Sequence, residues 1–129
     1  MIGIIFIGDI TLCPFLYKYT DELDKKGMSY EIVHWNKSNE EINVDNAITL
    51  NKPSINHRSP LLKTKDFFIF RKFAKRVIKE RKYERLIILT TMTAVMLYDV
   101  LLSEKYRKKY IFDYRDASYE FIPPFYYLV

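Results

Sequence analysis

Three short apolar runs, each halted by a small or polar residue, constrain this chain more than any other feature. They are Ile4-Ile5-Phe6-Ile7 before Gly8-Asp9, Leu86-Ile87-Ile88-Leu89 before Thr90-Thr91, and Tyr110-Ile111-Phe112 before Asp113-Tyr114-Arg115-Asp116. Apolar runs without alternation suit strands buried on both faces, as in a parallel sheet covered by helices. Such sheets bind ligands at the carboxyl ends of their strands, so function is expected at these three junctions.

Helical patterns lie between the runs. Thr11 can cap a helix on which Leu12, Leu16, Tyr19 and Leu23 share one face, with Pro14 in its first turn and Lys25-Lys26-Gly27 as its stop. Tyr30 to Trp35 mixes β-branched and aromatic residues and reads as a second strand, which makes the first third a right-handed βαβ unit. Ala47 to Leu50 is a short strand between polar loops. From Lys65 to Lys82 the positions Phe67, Phe70, Ala74, Val77 and Ile78 mark a helix, its apolar band widened by Phe68 and Phe73. After a strand over Arg85 to Thr90, Thr91 to Ser103 reads as one helix with Ala94, Leu97, Tyr98 and Leu101 along one side. Lys109 to Asp113 is the last strand. The alternation predicts one α/β domain with an open, mainly parallel sheet and helices on both faces. The strands of Ile5, Val33, Ile88 and Phe112 should be near neighbours, with Gly8, Thr91 and Asp113 on one edge.

Composition narrows the setting. The 129 residues, 49% of them apolar, suffice for one core. A lone Cys13 cannot form an internal disulfide, no apolar run approaches the roughly 20 residues that span a bilayer, and Met1 to Ile10 lacks a basic leader. A reducing, cytoplasmic location is expected. The net charge of +5 is concentrated in eight cations, Lys65, Arg71, Lys72, Lys75, Arg76, Lys79, Arg81 and Lys82. This stripe suits the solvated face of a helix, and it also suits attraction to phosphate in nucleic acid, anionic lipid or a phosphorylated substrate. Nucleic-acid motifs are missing, so no specific nucleic-acid partner is expected. His34 in a strand and His57 in a loop lack ligand spacing, so no metal is expected either.

Gly8-Asp9-Ile10-Thr11 joins a buried strand to a helix start, where free N–H groups favour an anion, although a tight turn and a cap explain the same residues. Neither a dinucleotide fingerprint nor a P-loop is present. Thr90-Thr91-Met92-Thr93 repeats the geometry with hydroxyls, and capping also accounts for it. Asp113, Asp116 and Glu120 crowd the end of the last strand around Arg115. Crowding can raise one carboxylate toward a useful base, while the arginine lowers it or holds a phosphate or sugar hydroxyl. An ion-pair cluster that fastens a loop uses the same residues.

The segment Tyr110-Ile111-Phe112-Asp113-Tyr114-Arg115-Asp116-Ala117-Ser118-Tyr119-Glu120 resembles the strand, Arg-Asp, aromatic, Glu stretch in N-terminal domains of GT-B glycosyltransferases, especially family-4-like bacterial enzymes of surface-polysaccharide assembly. The order of elements along the whole chain is similar too. The resemblance implies a Rossmann-like, acceptor-binding N-terminal domain over residues 1–129, with a nucleotide sugar held by a C-terminal domain that this chain lacks. It implies no metal or other cofactor. Asp113 and Asp116 would be catalytic, with Gly8, Asp9, Thr11, Thr90, Thr91, Arg115 and Glu120 lining the acceptor site. Many members carry a histidine or acid at the strand end; here it is Asp113, Arg115 and Asp116, without histidine. The acceptor would be a sugar or lipid-linked sugar, and the helix from Lys65 to Lys82 would rest on an anionic membrane surface at the inner face of the cell membrane, with Phe67, Phe68 or Phe70 at the boundary; the alternative, favoured for the phenylalanines, is that the aromatics fill the core and the lysines face water. The apolar end, Phe121 to Val129, should pack on this domain or on a further part. The alternative is a non-enzymatic, flavodoxin-like module that recognises a phosphorylated small molecule or a protein partner at the same strand ends.

Overall fold

A computed structural model describes residues 1–10, 13–37, 44–52 and 60–113. The first apolar run forms β1 (Ile2–Phe6), the central strand of a sheet. Around it lie β2 (Tyr30–Asn36), β3 (Ala47–Asn51), β4 (Arg85–Leu89) and β5 (Tyr110–Asp113). The five strands run in the order β3-β2-β1-β4-β5, and every pairing is parallel. This is an open α/β, Rossmann-like fold, in which the chain builds outward from β1 on one side and then returns across it to build the other.

Alternate residues of the strands feed two cores. Ile4, Ile32, Ile87 and Leu89 face α1 (Leu16–Lys25), which contributes Leu16 and Leu23. Ile5, Val33, Trp35 and Ile88 face the other layer, built from α2 (Pro60–Arg81), α3 (Thr91–Met96) and α4 (Tyr98–Leu101). There Phe70 stacks on Trp35 with centroids 5.8 Å apart and planes 10° from parallel. Among the described residues, helices thus cover both faces, one on the first and three on the second.

Several boundaries differ from the sequence expectations. α1 begins at Leu16, so Pro14 precedes the helix, and Thr11 and Leu12 lie outside the described residues. Its end is a Schellman cap: Gly27 takes φ +65°, its N–H bonds Asp24 O at 3.1 Å, and Met28 N bonds Leu23 O at 2.9 Å. α2 starts at Pro60, five residues earlier than expected, because proline at a first helical position loses no hydrogen bond. Thr91 to Ser103 is two short helices rather than one. At Leu97 the backbone turns to φ −107° and ψ 20°, and the Met96 carbonyl accepts from Arg71 Nε at 3.0 Å. A carbonyl engaged by another helix no longer serves the ladder of its own. Leu97 and Leu101 pack inward as expected, but Tyr98 is exposed. β5 also departs from expectation: it is an edge strand, and Tyr110, Ile111 and Phe112 are exposed rather than buried on both faces.

At the amino-terminal end of the sheet, Tyr83 lies against Gly3 and is fully buried. Its hydroxyl donates to Glu31 at 2.9 Å and its carbonyl accepts from Tyr106 at 2.8 Å. Arg81 pairs with the same Glu31 and, as the main cause, holds that carboxyl below its usual range.

Candidate functional site

The direction of chain building reverses between β1 and β4, and open sheets of this kind bind ligands where two neighbouring strands send their connections to opposite faces. Phe6 pairs with Leu89, and Leu89 with Asp113, so β1, β4 and β5 end level with one another. Gly8, Thr91 and Asp113 therefore share one edge, as expected.

The loop after β1 is tight. Gly8 N donates to Phe6 O at 3.0 Å, and its carbonyl accepts from Trp35 N at 3.0 Å. A Cβ on Gly8 would approach the Phe6 ring to 3.0 Å, so a larger residue would fit only if that half-buried ring gave way. Ile7 N then donates to Thr93 Oγ1 at 3.0 Å, which ties the first loop to the start of α3 across the crevice.

The loop after β4 is conformationally unusual. Thr90 adopts φ 76° and ψ 152°, a region that is essentially reserved for glycine. It makes no side-chain cap to α3, contrary to the capping expectation; its hydroxyl instead lies 3.1 Å from Thr93 Oγ1. The backbone is held from two sides: Thr90 N donates to Asp113 O at 3.1 Å, and Thr90 O accepts from Ala94 N at 3.3 Å. The Thr91 hydroxyl is buried with no hydrogen-bond partner. Asp113 is buried at the end of β5, where the Tyr19 hydroxyl donates to its Oδ2. Of the proposed site residues, the structure thus brings Gly8, Asp9, Thr90, Thr91 and Asp113 to one sheet edge. Thr11, Arg115, Asp116 and Glu120 lie outside the described residues.

Sequence reading weighed His34 only as a metal ligand, and the structure places it in a polar group beside this crevice. His34 is fully buried at the end of β2, with Nε2 2.8 Å from Thr49 Oγ1 and Nδ1 without a hydrogen-bond partner. Burial lowers its pKa, and the charge of Asp9 opposes that shift. Next to it, Asn36 Nδ2 donates to Asn51 Oδ1 at 3.1 Å. The Lys37 ammonium sits 4.7 Å from the centroid of the Trp35 ring. Although Lys37 is exposed as a residue, desolvation pulls its pKa down, while Asp66 and Asp9 push it back up. Their position at the carboxyl end of a parallel strand was the available signal. Tyr19 was read as one residue of an apolar face; its role toward Asp113 appears only when α1 is docked.

Among the described residues no group of three or more His, Cys, Asp and Glu is arranged to hold a metal ion. No helix there is long and apolar enough to cross a membrane. A separate cavity of about 460 Å³ opens beside α1 over Ile2, Arg85 and Ile111, toward the other end of the strands. Comparison with protein-family models, curated proteins and solved structures finds no match for this chain.

Proposed function

We propose that the crevice between β1 and β4 binds the sugar acceptor of a GT-B-type glycosyltransferase, the chain serving as its acceptor-side domain. The observation that carries this reading is the lining of the crevice. The described ends of β1, β4 and β5 gather the carboxylates of Asp9 and Asp113 and the hydroxyls of Thr90 and Thr91, with Lys37, just past the end of neighbouring β2, as the cation beside them. Carboxylates and hydroxyls suit the hydroxyl groups of a neutral saccharide. They do not suit a diphosphate, which needs cations or a glycine-rich nest of N–H groups. The phosphate-binding module weighs less for the same reason, since its ligand would face Asp9 and Asp113. In the transferase arrangement the donor nucleotide is held by a second α/β unit, and these residues alone bind acceptor without turning over donor.

Amide NMR titration of the chain with methyl hexosides and, separately, with a nucleoside diphosphate tests the reading. Shifts at Gly8, Thr90 and Thr91 with the glycosides, weakened by Asp113→Asn, are expected. The same shifts with the nucleotide alone would overturn it.

A further inference from the structure

On the side of α1 the sheet is covered unevenly. Ile111 pairs with Ile87 in parallel register, so both point to that side, yet Ile87 is 4% exposed and Ile111 56%. Ile87 shares a core with Leu16 and Leu23 of α1, whereas Ile111 lies outside it, on the wall of the cavity of about 460 Å³. The apolar surface of that cavity comes from Ile2, Leu23, Met28, Ile87 and Ile111. Four cations, Lys26, Arg85, Lys108 and Lys109, line the same hollow against one carboxylate, Glu22. Glu22 is paired with Lys25 at 3.8 Å, and none of the four cations has a carboxylate partner among the described residues. The backbone around the hollow is already satisfied. Lys26 N donates to Glu22 O at 3.1 Å, Gly27 N to Asp24 O at 3.1 Å and Met28 N to Leu23 O at 2.9 Å, so the carbonyl end of α1 is capped, and Leu86 N donates to Lys109 O at 3.0 Å.

We infer that this cavity binds a small amphipathic anion, an acyl or aryl carboxylate whose apolar body lies against Ile2, Leu23, Ile87 and Ile111 and whose carboxylate meets Arg85 and the three lysines. The volume falls within the roughly 300–1,000 Å³ of small-molecule sites, and an apolar lining with a few converging charges is their usual makeup. Four cations gathered around one engaged acid repel one another until an anion enters. A free phosphate would leave the apolar surface wet, and a neutral hydrocarbon would leave the cations unpaired, so the ligand that satisfies the whole lining carries both parts. Tyr19 lines the cavity and also donates to Asp113, but this recognition does not use its hydroxyl, so the site stands or falls apart from the sugar reading.

Amide NMR titration of the full chain with octanoate, octanol and acetate, each below the concentration at which it aggregates, tests this. Octanoate should shift Met28, Leu86 and Ile111 and saturate. Octanol should need about tenfold more, the worth of one charge-assisted contact, and acetate should leave those amides unmoved. Arg85→Gln with Lys109→Gln should weaken octanoate about tenfold or more and leave octanol as it was, while Ile111→Ser should weaken both. Arg85, Lys109 and Ile111 are exposed, so the fold tolerates these changes, and circular dichroism verifies it. Lys72→Gln with Arg76→Gln, cations of α2 that do not line the cavity, is the control and should change nothing. Equal affinity for octanoate and octanol, shifts with acetate alone, an unchanged Arg85 and Lys109 variant, or a control pair that weakens octanoate as much would each overturn the inference. So would an absence of binding, the outcome expected if residues 121–129 of the chain or a second copy fill the cavity.

Discussion

Replacing Thr90 by glycine and by alanine separates backbone strain from side-chain contacts at the centre of the crevice. Thr90 holds φ 76° and ψ 152° while almost fully buried. A non-glycine residue in that region costs about 1–3 kcal/mol. Thr90→Ala keeps this cost and also loses the contact with Thr93 Oγ1, about 0.5–1.5 kcal/mol, and a methyl group worth about 0.8 kcal/mol. Thr90→Gly loses the same groups and the β-carbon besides, but releases the strain. Glycine in an extended or helical segment is ordinarily worse than alanine by about 0.5–1 kcal/mol, so release of about 2 kcal/mol leaves it ahead by about 1 kcal/mol. For a chain of 129 residues the unfolding entropy is about 0.27 kcal/mol per degree, and the two variants should differ by about 4 °C in Tm. Differential scanning calorimetry measures this, with Thr91→Gly and Thr91→Ala as controls that should show the ordinary order. If Thr90→Ala proves as stable as Thr90→Gly, the strain argument fails. If the strain serves to aim the hydroxyl, the glycine variant should keep its stability and lose the glycoside-induced shifts.

Two further perturbations probe other parts of the molecule. A Cβ on Gly3 would meet the Tyr83 ring at 2.5 Å, and that ring is fully buried with its hydroxyl held by Glu31, so Gly3→Ala should lose about 1–3 kcal/mol by urea titration, and less when combined with Tyr83→Leu. His34, its folded pKa depressed by burial below the ordinary 6.5, takes up a proton more readily when unfolded, so stability should fall as pH drops below 6.5. Urea midpoints at about pH 7.5 and about pH 5.5 should therefore differ more for the natural chain than for His34→Gln, and an equal difference would exclude His34 as the cause.

The sheet was legible because its strands are short uninterrupted apolar runs, and βα alternation leaves few ways to arrange them. Ile4-Ile5 and Ile87-Ile88 face opposite cores, as a strand covered on both sides requires. Edge position is not written in a run of the same composition, so Tyr110-Ile111-Phe112 looked like its neighbours although it lies exposed at the margin. The break at Leu97 carries no glycine or proline signal because it is imposed from outside, by Arg71 on the Met96 carbonyl. In the crevice, Gly8 and the threonines were visible as punctuation after strands. The left-handed backbone of Thr90 was not, since β-branched residues seldom adopt it and it depends on bonds to Asp113 and Ala94. His34 was weighed only as a metal ligand, because one strand histidine looks the same whether its ring is fully bonded or half bonded.

The two ends of the sheet treat their polar groups differently, and that contrast bears on where function lies. At the amino end, the Tyr83 hydroxyl and Arg81 meet the carboxylate of Glu31, the Tyr106 hydroxyl donates to the Tyr83 carbonyl, and Glu84 N bonds Met1 O at 3.0 Å. At the carboxyl end, Thr91 Oγ1 and His34 Nδ1 are buried without hydrogen-bond partners, and Thr90 is strained. Each buried group left unbonded costs about 1–3 kcal/mol, a large fraction of the stability of one domain. Asp99 Oδ1 in the outer helical layer is likewise buried without a hydrogen bond, and Lys82 and Lys108 at the amino end also take positive φ. What sets the carboxyl edge apart is therefore the conjunction at one place of Thr91 Oγ1, His34 Nδ1 and the glycine-like backbone of Thr90, which is where preorganised polar groups would be useful to the proposed acceptor.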